Sequence, residues 1–375
     1  MIGYGNSYFV STILDSGAAP GIAPVNTVAP AITGTAQEGQ TVTCSTGTWT
    51  GTPVITYTYQ WKRNGSNIGS ATNSTYTLVS ADVGQSIKCT VTATNGFGSA
   101  NADSNTITPV ALLLLDTYTG AAVAYSLRQL RTAYTGAAIR VRRSSDNAEQ
   151  DINFVGGDLD TASLLTFCGA GNGFITTWYD QSGNANNANQ PTLLSSQAQI
   201  VASGAVITDP NTSKISTTWT TDFYSLGTGI SPNTRYLSVG VVNRTSNLTN
   251  LLVSMGTATV TGVNGQCPMI WLPTSGNVNS IMPSLVTHGT NTGTGAFIMT
   301  SEKNSSNLKT AYLDGIALAT TATEAPSAGN NFIYFGRAGN NFHLGRYAEY
   351  IYWNSEQSAN RIGIETNINT YWNAY

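Results

Sequence analysis

Residues 57–65 read Tyr57-Thr58-Tyr59-Gln60-Trp61-Lys62-Arg63-Asn64-Gly65, aromatic side chains alternating with polar ones up to an Asn-Gly pair. Alternation at period two marks a half-buried strand, because successive side chains leave a pleated backbone on opposite sides. Asn-Gly readily takes the positive φ angles of a tight hairpin turn. Runs of the same kind occur at Thr41-Val42-Thr43-Cys44, Tyr76-Thr77-Leu78 and Ile87-Lys88-Cys89-Thr90-Val91-Thr92, and Asn95-Gly96 supplies a second turn. Residues 26–109 are therefore expected to form a small β-sandwich. Composition extends the expectation outward. Only 9% of the 375 residues are charged and 38 are Gly, against about 25% charged residues in an ordinary soluble domain. Helical bundles, coiled coils and charged disordered tails need many Glu, Lys and Arg residues, so the chain reads as mainly β, with length for two or three domains.

A net charge of -3 leaves no electrostatic footprint for a phosphate backbone, which excludes nucleic acid as a partner. The longest apolar stretch, residues 110–115, is far short of the roughly 20 residues that span a bilayer, so no membrane partner is expected. The N-terminus has no Lys or Arg before its apolar part, and synthesis in a cytoplasm without export is expected. Four cysteines and two isolated histidines, His288 and His343, fit neither a disulfide scaffold nor a metal site. No metal or cofactor is expected.

Residues 1–25 read as an arm and linker, rich in Gly, Pro and Ala. Its apolar side chains, Tyr4, Tyr8, Phe9, Ile13 and Leu14, gain by burial and mark it as a docking segment. In the third part, residues 110–375, Val123, Leu127, Leu130 and Tyr134 fall on one helical stripe, and a strand is expected at Ile139–Arg143. The arginines of that strand have Asp146, Glu149 and Asp151 as nearby ion-pair partners. A short helix is expected over Asp160–Phe167. A last helix should carry Ile364, Ile368 and Tyr371 after a cap at Asn354-Ser355.

Two resemblances follow from these residues. Trp61 stands 17 residues after Cys44 and 28 before Cys89, the order of an immunoglobulin core. With Ala81-Asp82-Val83-Gly84, residues 26–109 resemble the Ig-like modules of bacterial and phage surface proteins. Whether Cys44 and Cys89 are bonded or are core thiols stays open. Ile139–Asp146, Phe167-Cys168 and Trp178-Tyr179-Asp180-Gln181-Ser182-Gly183-Asn184-Ala185-Asn186-Asn187-Ala188 resemble the opening of arabinofuranosidase B catalytic domains, which have a concanavalin-like sandwich. Ala311–Gly315 and Ala348–Trp353 are similar to laminin-G-like strands and turns. The fold class implied is an Ig-like β-sandwich followed by a concanavalin/laminin-G-like β-sandwich with a few short helices.

The arabinofuranosidase resemblance implies a Glu nucleophile in the middle of the sandwich and an Asp acid/base near the C-terminus. No Asp or Glu stands between Asp222 and Glu302, and the position matching the acid/base is Asn340. Asp314 and Glu349 read as a turn residue and a sheet-surface residue. A glycosidase needs a carboxyl pair, so the expectation is a non-enzyme: a bacteriophage virion protein, capsid decoration or head fibre, attached to other virion proteins by the N-terminal arm. It would be a homo-oligomer made in the host cytoplasm and displayed on the virion surface. The alternatives are a tail fibre or receptor-binding adhesin, and a carbohydrate-active enzyme of the arabinofuranosidase kind. Host surface polysaccharide is a further expected partner, weakly bound at Trp178, Tyr179, Asp180 and Gln181, where aromatic faces lie beside hydrogen-bonding groups. For Asp180, organising its loop is the preferred role, with Trp178 facing inward and Tyr179 outward.

Overall fold

A computed structural model describes residues 20–220, 222–230, 235–244, 251–253, 255–256, 269–272, 277–281, 285–290, 295–306, 308–322, 332–335, 337–338, 341–342 and 345–375. The chain divides into two compact units, Met1–Leu112 and Leu113–Tyr375.

In the first unit, Ile32–Thr33, Thr41–Cys44 and Thr75–Thr77 form one sheet. Ser66–Asn67, Thr56–Arg63, Ile87–Asn95 and Gly98–Asp103 form another. Both sheets contribute to one core: Ile32, Val42 and Cys44 from the first meet Trp61, Ile87, Cys89 and Val91 from the second. The expected hairpin is present, since Asn64 and Gly65 both have positive φ, 49° and 83°, the pattern of a type I′ turn. Asp82 is fully buried and accepts from Arg63 Nε at 2.7 Å, Tyr76 Oη at 2.9 Å and the Val79 amide at 2.9 Å. The sandwich begins before the expected end of the arm: Thr52 N donates to Ile22 O at 2.9 Å, and Val25–Val28 pairs with Thr48–Thr50. The docking residues Tyr4, Tyr8, Phe9, Ile13 and Leu14 lie outside the described residues.

Cys44 and Cys89 are buried free thiols within hydrogen-bonding reach of each other. Their mutual hydrogen bond, followed by burial, pushes the Cys89 thiol well above its usual range. The same bond lowers the Cys44 thiol, so it is the burial of both residues that is expected to keep thiol reagents out until unfolding. Closing the loop between residues 44 and 89 with a disulfide should stabilise the first unit by about 2–4 kcal/mol. Comparing urea midpoints of oxidised and reduced protein checks this, and equal midpoints would show that the core does not admit the bond.

In the second unit the longest hydrogen-bonded path of strands runs through Thr217–Trp219, Gly345–Trp353, Tyr236–Arg244, Gly295–Lys303, Leu308–Leu313 and Ile316–Ala322 in that spatial order, all antiparallel. Trp178, Trp219, Tyr224 and Tyr347 are buried together, with ring centroids 5.1 to 6.4 Å apart. The helix Arg361–Trp372 contacts Tyr236–Arg244 and Gly295–Lys303 and buries Ile364, Ile368 and Trp372. Its N-cap residue is Asn360 rather than Asn354 or Ser355. The short helix forms at Thr161–Cys168, where the Asp160 side chain accepts from the Ser163 amide at 3.0 Å. Ile139–Arg143 is a strand, with Arg140 paired to Asp151 and Arg143 to Asp146.

The helix expected from Val123 to Tyr134 does not form. Val123–Ser126 is a strand paired with Glu349–Tyr352, and all four of its residues are buried. A strand buried on both faces shows no alternation, so its apolar residues matched a helical spacing by chance. Among the described residues no helix is long and apolar enough to cross a membrane.

Candidate functional site

The Gly173–Trp178 strand carries the motif residues into the loop that follows it. Trp178 and Gln181 are fully buried and Asp180 is 3% exposed. Asp180 Oδ1 accepts from the Ala124 and Ser182 amides, each at 2.9 Å. Its Oδ2 accepts from Ser182 Oγ at 2.7 Å and the Asn186 amide at 3.0 Å. Gln181 Oε1 accepts from Leu130 N at 2.7 Å, while its Nε2 donates to Ser126 O and Arg128 O. The side chains of Asn184 and Asn186 donate to Ala122 O. The Asp-Gln-Ser-Gly-Asn segment is thus a clasp that holds residues 121–130 against the sheet. Of the residues expected to contact a glycan, Asp180 and Gln181 thus spend their polar side-chain atoms within the chain, and Trp178 is buried in the core. Tyr179 alone of the four is half-buried, and its hydroxyl donates to Asp151 at 2.8 Å.

The carboxylates of the central sheet lie in two places. Glu349 is 1% exposed rather than on the sheet surface. It receives Arg128 through Nε at 2.8 Å and Nη2 at 3.1 Å, Ser126 Oγ at 2.8 Å and Trp372 Nε1 at 2.9 Å. With its acceptor positions so occupied, it reads as a structural ion pair.

Glu365, on the helix Arg361–Trp372, lies within electrostatic reach of both Glu302, on Gly295–Lys303, and Asp314, in the turn after Leu308–Leu313. Tyr312 Oη donates to Glu302 Oε1 at 2.6 Å, and Arg361 pairs with Glu365 while its guanidinium lies 3.8 Å from the Tyr312 ring centroid. Glu302 and Glu365 are 6% and 2% exposed, and each keeps one buried oxygen, Oε2 and Oε1 respectively, without a hydrogen-bond partner among the described residues. Burial, then the charge of Glu302, pushes the Glu365 carboxyl up, against the opposing hydrogen bonds and charge of Thr300 and Arg361. Asp314 occupies a left-handed turn position, φ 52°, and accepts from Ile298 N at 2.9 Å. Burial, reinforced by Glu365, raises its carboxyl to about 6. A carboxyl group of raised proton affinity beside another carboxylate is the kind of arrangement from which a general acid is drawn.

Sequence reasoning assigned no role to Glu302 or Glu365. The available signals were an acid within the buried stripe Ile364-Glu365-Ile368 and another at the end of the apolar strand Gly295–Lys303. Among the described residues no group of His, Cys, Asp and Glu could hold a metal ion.

Asp222 stands apart, 2% exposed and pushed up to about 6 by burial. Its folded value exceeds the unfolded 3.8, so its contribution to stability is full below pH 3.8 and is lost as pH rises through about 6. A difference of that size between the folded and unfolded carboxyl is worth on the order of 3 kcal/mol. Asp222→Asn is expected to flatten this part of the loss between about pH 4 and 7, as measured by denaturation at each pH.

The family model described as "Alpha-L-arabinofuranosidase B, catalytic" matches residues 115–237. The second unit is an arabinofuranosidase-like domain. Over 65 residues, 17% of this chain, the sequence is 43% identical to a probable alpha-L-arabinofuranosidase B of Aspergillus flavus. The same holds for alpha-L-arabinofuranosidase B of Aspergillus oryzae. The matched part is 13% of the length of each curated relative. A mutant GH54 α-L-arabinofuranosidase soaked with 4-nitrophenyl α-L-arabinofuranoside superposes with a TM-score of 0.56 at 17% identity, over 69% of this chain and 64% of that one. An arabinofuranosidase complexed with arabinofuranosyl-alpha-1,2-xylobiose gives 0.52 at 17% identity, with the same coverage. At this identity the superpositions establish the sandwich fold of the arabinofuranosidase-like domain.

These matches overturn the reading as a non-enzymatic phage virion protein, whether capsid decoration, head fibre or tail fibre, and point to its carbohydrate-active alternative. The non-enzyme reading rested on a gap in the linear sequence and on Asn340, which lies outside the described residues. A gap between Asp222 and Glu302 says nothing about carboxylates that the fold draws together from elsewhere, and the arabinofuranosidase-like domain brings Glu365 within electrostatic reach of Glu302 and of Asp314.

Proposed function

We propose that the second unit is a glycoside hydrolase acting on α-L-arabinofuranosyl groups of a polysaccharide. The catalytic-domain match over residues 115–237 carries this reading. Its chemistry is placed at the Glu302–Asp314–Glu365 group. Asp314, half-buried and held near 6, is suited to protonating a leaving-group oxygen. Glu302 and Glu365 supply the carboxylate face of the pair, and Tyr312 and Arg361 orient them. The first unit is a sandwich module joined to this hydrolase.

Purified full-length protein should release 4-nitrophenol from 4-nitrophenyl α-L-arabinofuranoside. Since the acid acts in its protonated form, kcat/KM should fall as pH rises through about 6. Asp314→Asn should lower turnover about 10²-fold and remove that limb of the profile. No release by folded wild-type protein would refute the activity; full activity in Asp314→Asn, Glu302→Gln and Glu365→Gln would move the chemistry elsewhere.

A further inference from the structure

At one end of the central sheet a small cavity of about 10 Å³ is lined by Asp209, Ser216, Asn243, Arg346 and Trp372, with apolar walls from Val241, Val242 and Ala296. The strand register builds it. A bulge between Val241 and Val242 shifts the pairing with Gly345–Trp353 so that Asn243 lies directly opposite Arg346, and such bulges re-aim the side chains that follow them. Asn243 is 2% exposed; its amide nitrogen donates to Asn211 Oδ1 at 3.3 Å, while its own Oδ1 has no partner among the described residues. Arg346 spends Nη1 on Thr208 O and Ser216 Oγ, and its buried Nε–H likewise has no partner among them.

One cavity therefore presents an unpaired acceptor and an unpaired donor. Leaving either unmade costs about 1–3 kcal/mol, so an occupant that both donates and accepts is favoured. A hydroxyl group does both; a halide, a carboxylate or an ammonium ion does only one. Charge argues the same way, because the Asp209 carboxylate and the Arg346 guanidinium line the space together and neither sign dominates. Asp209 is fixed by accepting from the Asn211 and Thr212 amides at 2.8 and 3.0 Å. The Trp372 indole N–H is already given to Glu349, which leaves its ring as an apolar wall suited to C–H groups. About 10 Å³ is near the smallest space that holds one oxygen-centred group.

We propose that this cavity is a hydroxyl-anchoring subsite for a neutral sugar, separate from the Glu302–Asp314–Glu365 group. Asn243 Oδ1 accepts the hydroxyl proton and Arg346 Nε–H donates to the hydroxyl oxygen. The choice of a sugar among neutral polyols rests on the hydrolase reading.

The test titrates L-arabinose into ¹⁵N-labelled full-length protein and follows the Arg346 Nε–H resonance, assigned by its loss in Arg346→Lys. A saturable shift with Kd on the order of 1–10 mM is expected. Asn243→Leu should weaken it at least about tenfold, a loss of one hydrogen bond to a charged or buried partner. If Asn243→Leu does not fold, Arg346→Lys serves instead, with saturation transfer to L-arabinose as the readout. Absence of a shift, a shift that Asn243→Leu leaves unchanged, or saturation transfer to L-arabinose that persists undiminished in Arg346→Lys would mean that the cavity holds an ordered water only, and would overturn the proposal. Arabinofuranoside release, measured on the same samples, separates the two readings: turnover without binding here sinks the subsite alone, and binding without turnover sinks the hydrolase alone.

Discussion

Replacing Arg128 by Met is expected to destabilise the second unit by about 3–5 kcal/mol, the cost of leaving a buried carboxylate without its partner. Glu349 is 1% exposed and its ion pair with Arg128 is shielded on both sides, at 7% and 1% side-chain exposure. The guanidinium also donates to Asn367 Oδ1 at 3.0 Å and lies 4.9 Å from the Tyr371 ring centroid, so its loss loosens the C-terminal helix as well. Combining Arg128→Met with Glu349→Gln should recover part of the loss, because the second change removes the stranded charge. Urea denaturation followed by tryptophan fluorescence reads both. A loss under about 1 kcal/mol in the single variant would mean that water reaches the pair and screens it.

Asp180→Ala should cost a comparable amount, about 3–5 kcal/mol. It deletes the acceptor for the amides of Ala124, Ser182 and Asn186, in a place where Ala124 is fully buried. Unmade buried donors cost about 1–3 kcal/mol each. Asp180→Asn keeps one acceptor oxygen but turns an NH₂ group toward donors, so a smaller loss of about 2 kcal/mol is expected. Amide hydrogen exchange at Ala124 should accelerate in both variants in proportion. Unchanged protection there would show that the clasp is not what holds residues 121–130.

These two residues also mark how far the sequence could be read. Local chemistry was legible. Asn64-Gly65 read as a tight hairpin turn, a short helix was expected from Asp160, which the structure makes its cap, and the Asn-rich loop after Asp180 suited organisation around one carboxylate. Periodicity misled at Val123–Ser126, since a strand covered on both faces carries no alternation to detect. The candidate site was hidden for a different reason. Glu302, Asp314 and Glu365 belong to no spacing motif; strand pairing sets Glu302 opposite Thr310, and only a helix returning over the sheet brings Glu365 within reach of each of the other two acids. Reading catalytic competence from a carboxylate-free interval therefore failed, because adjacency in the chain is a poor proxy for adjacency in a sandwich.

The placement of the Gly345–Trp353 strand between Tyr236–Arg244 and Val123–Ser126 bears on how this protein can be made. Ser126 and its partner Glu349 are 223 residues apart. At ordinary elongation rates of about 5–20 residues per second, the earlier strand waits on the order of ten to forty seconds for its neighbour to leave the ribosome. Through that interval Val123-Ala124-Tyr125-Ser126 presents an apolar, unpaired edge to the cell, the kind of surface that recruits other chains. Synthesis rate and chaperone supply, rather than final stability, are then expected to limit the yield of soluble second unit, whereas the first unit closes over its own core long before translation ends.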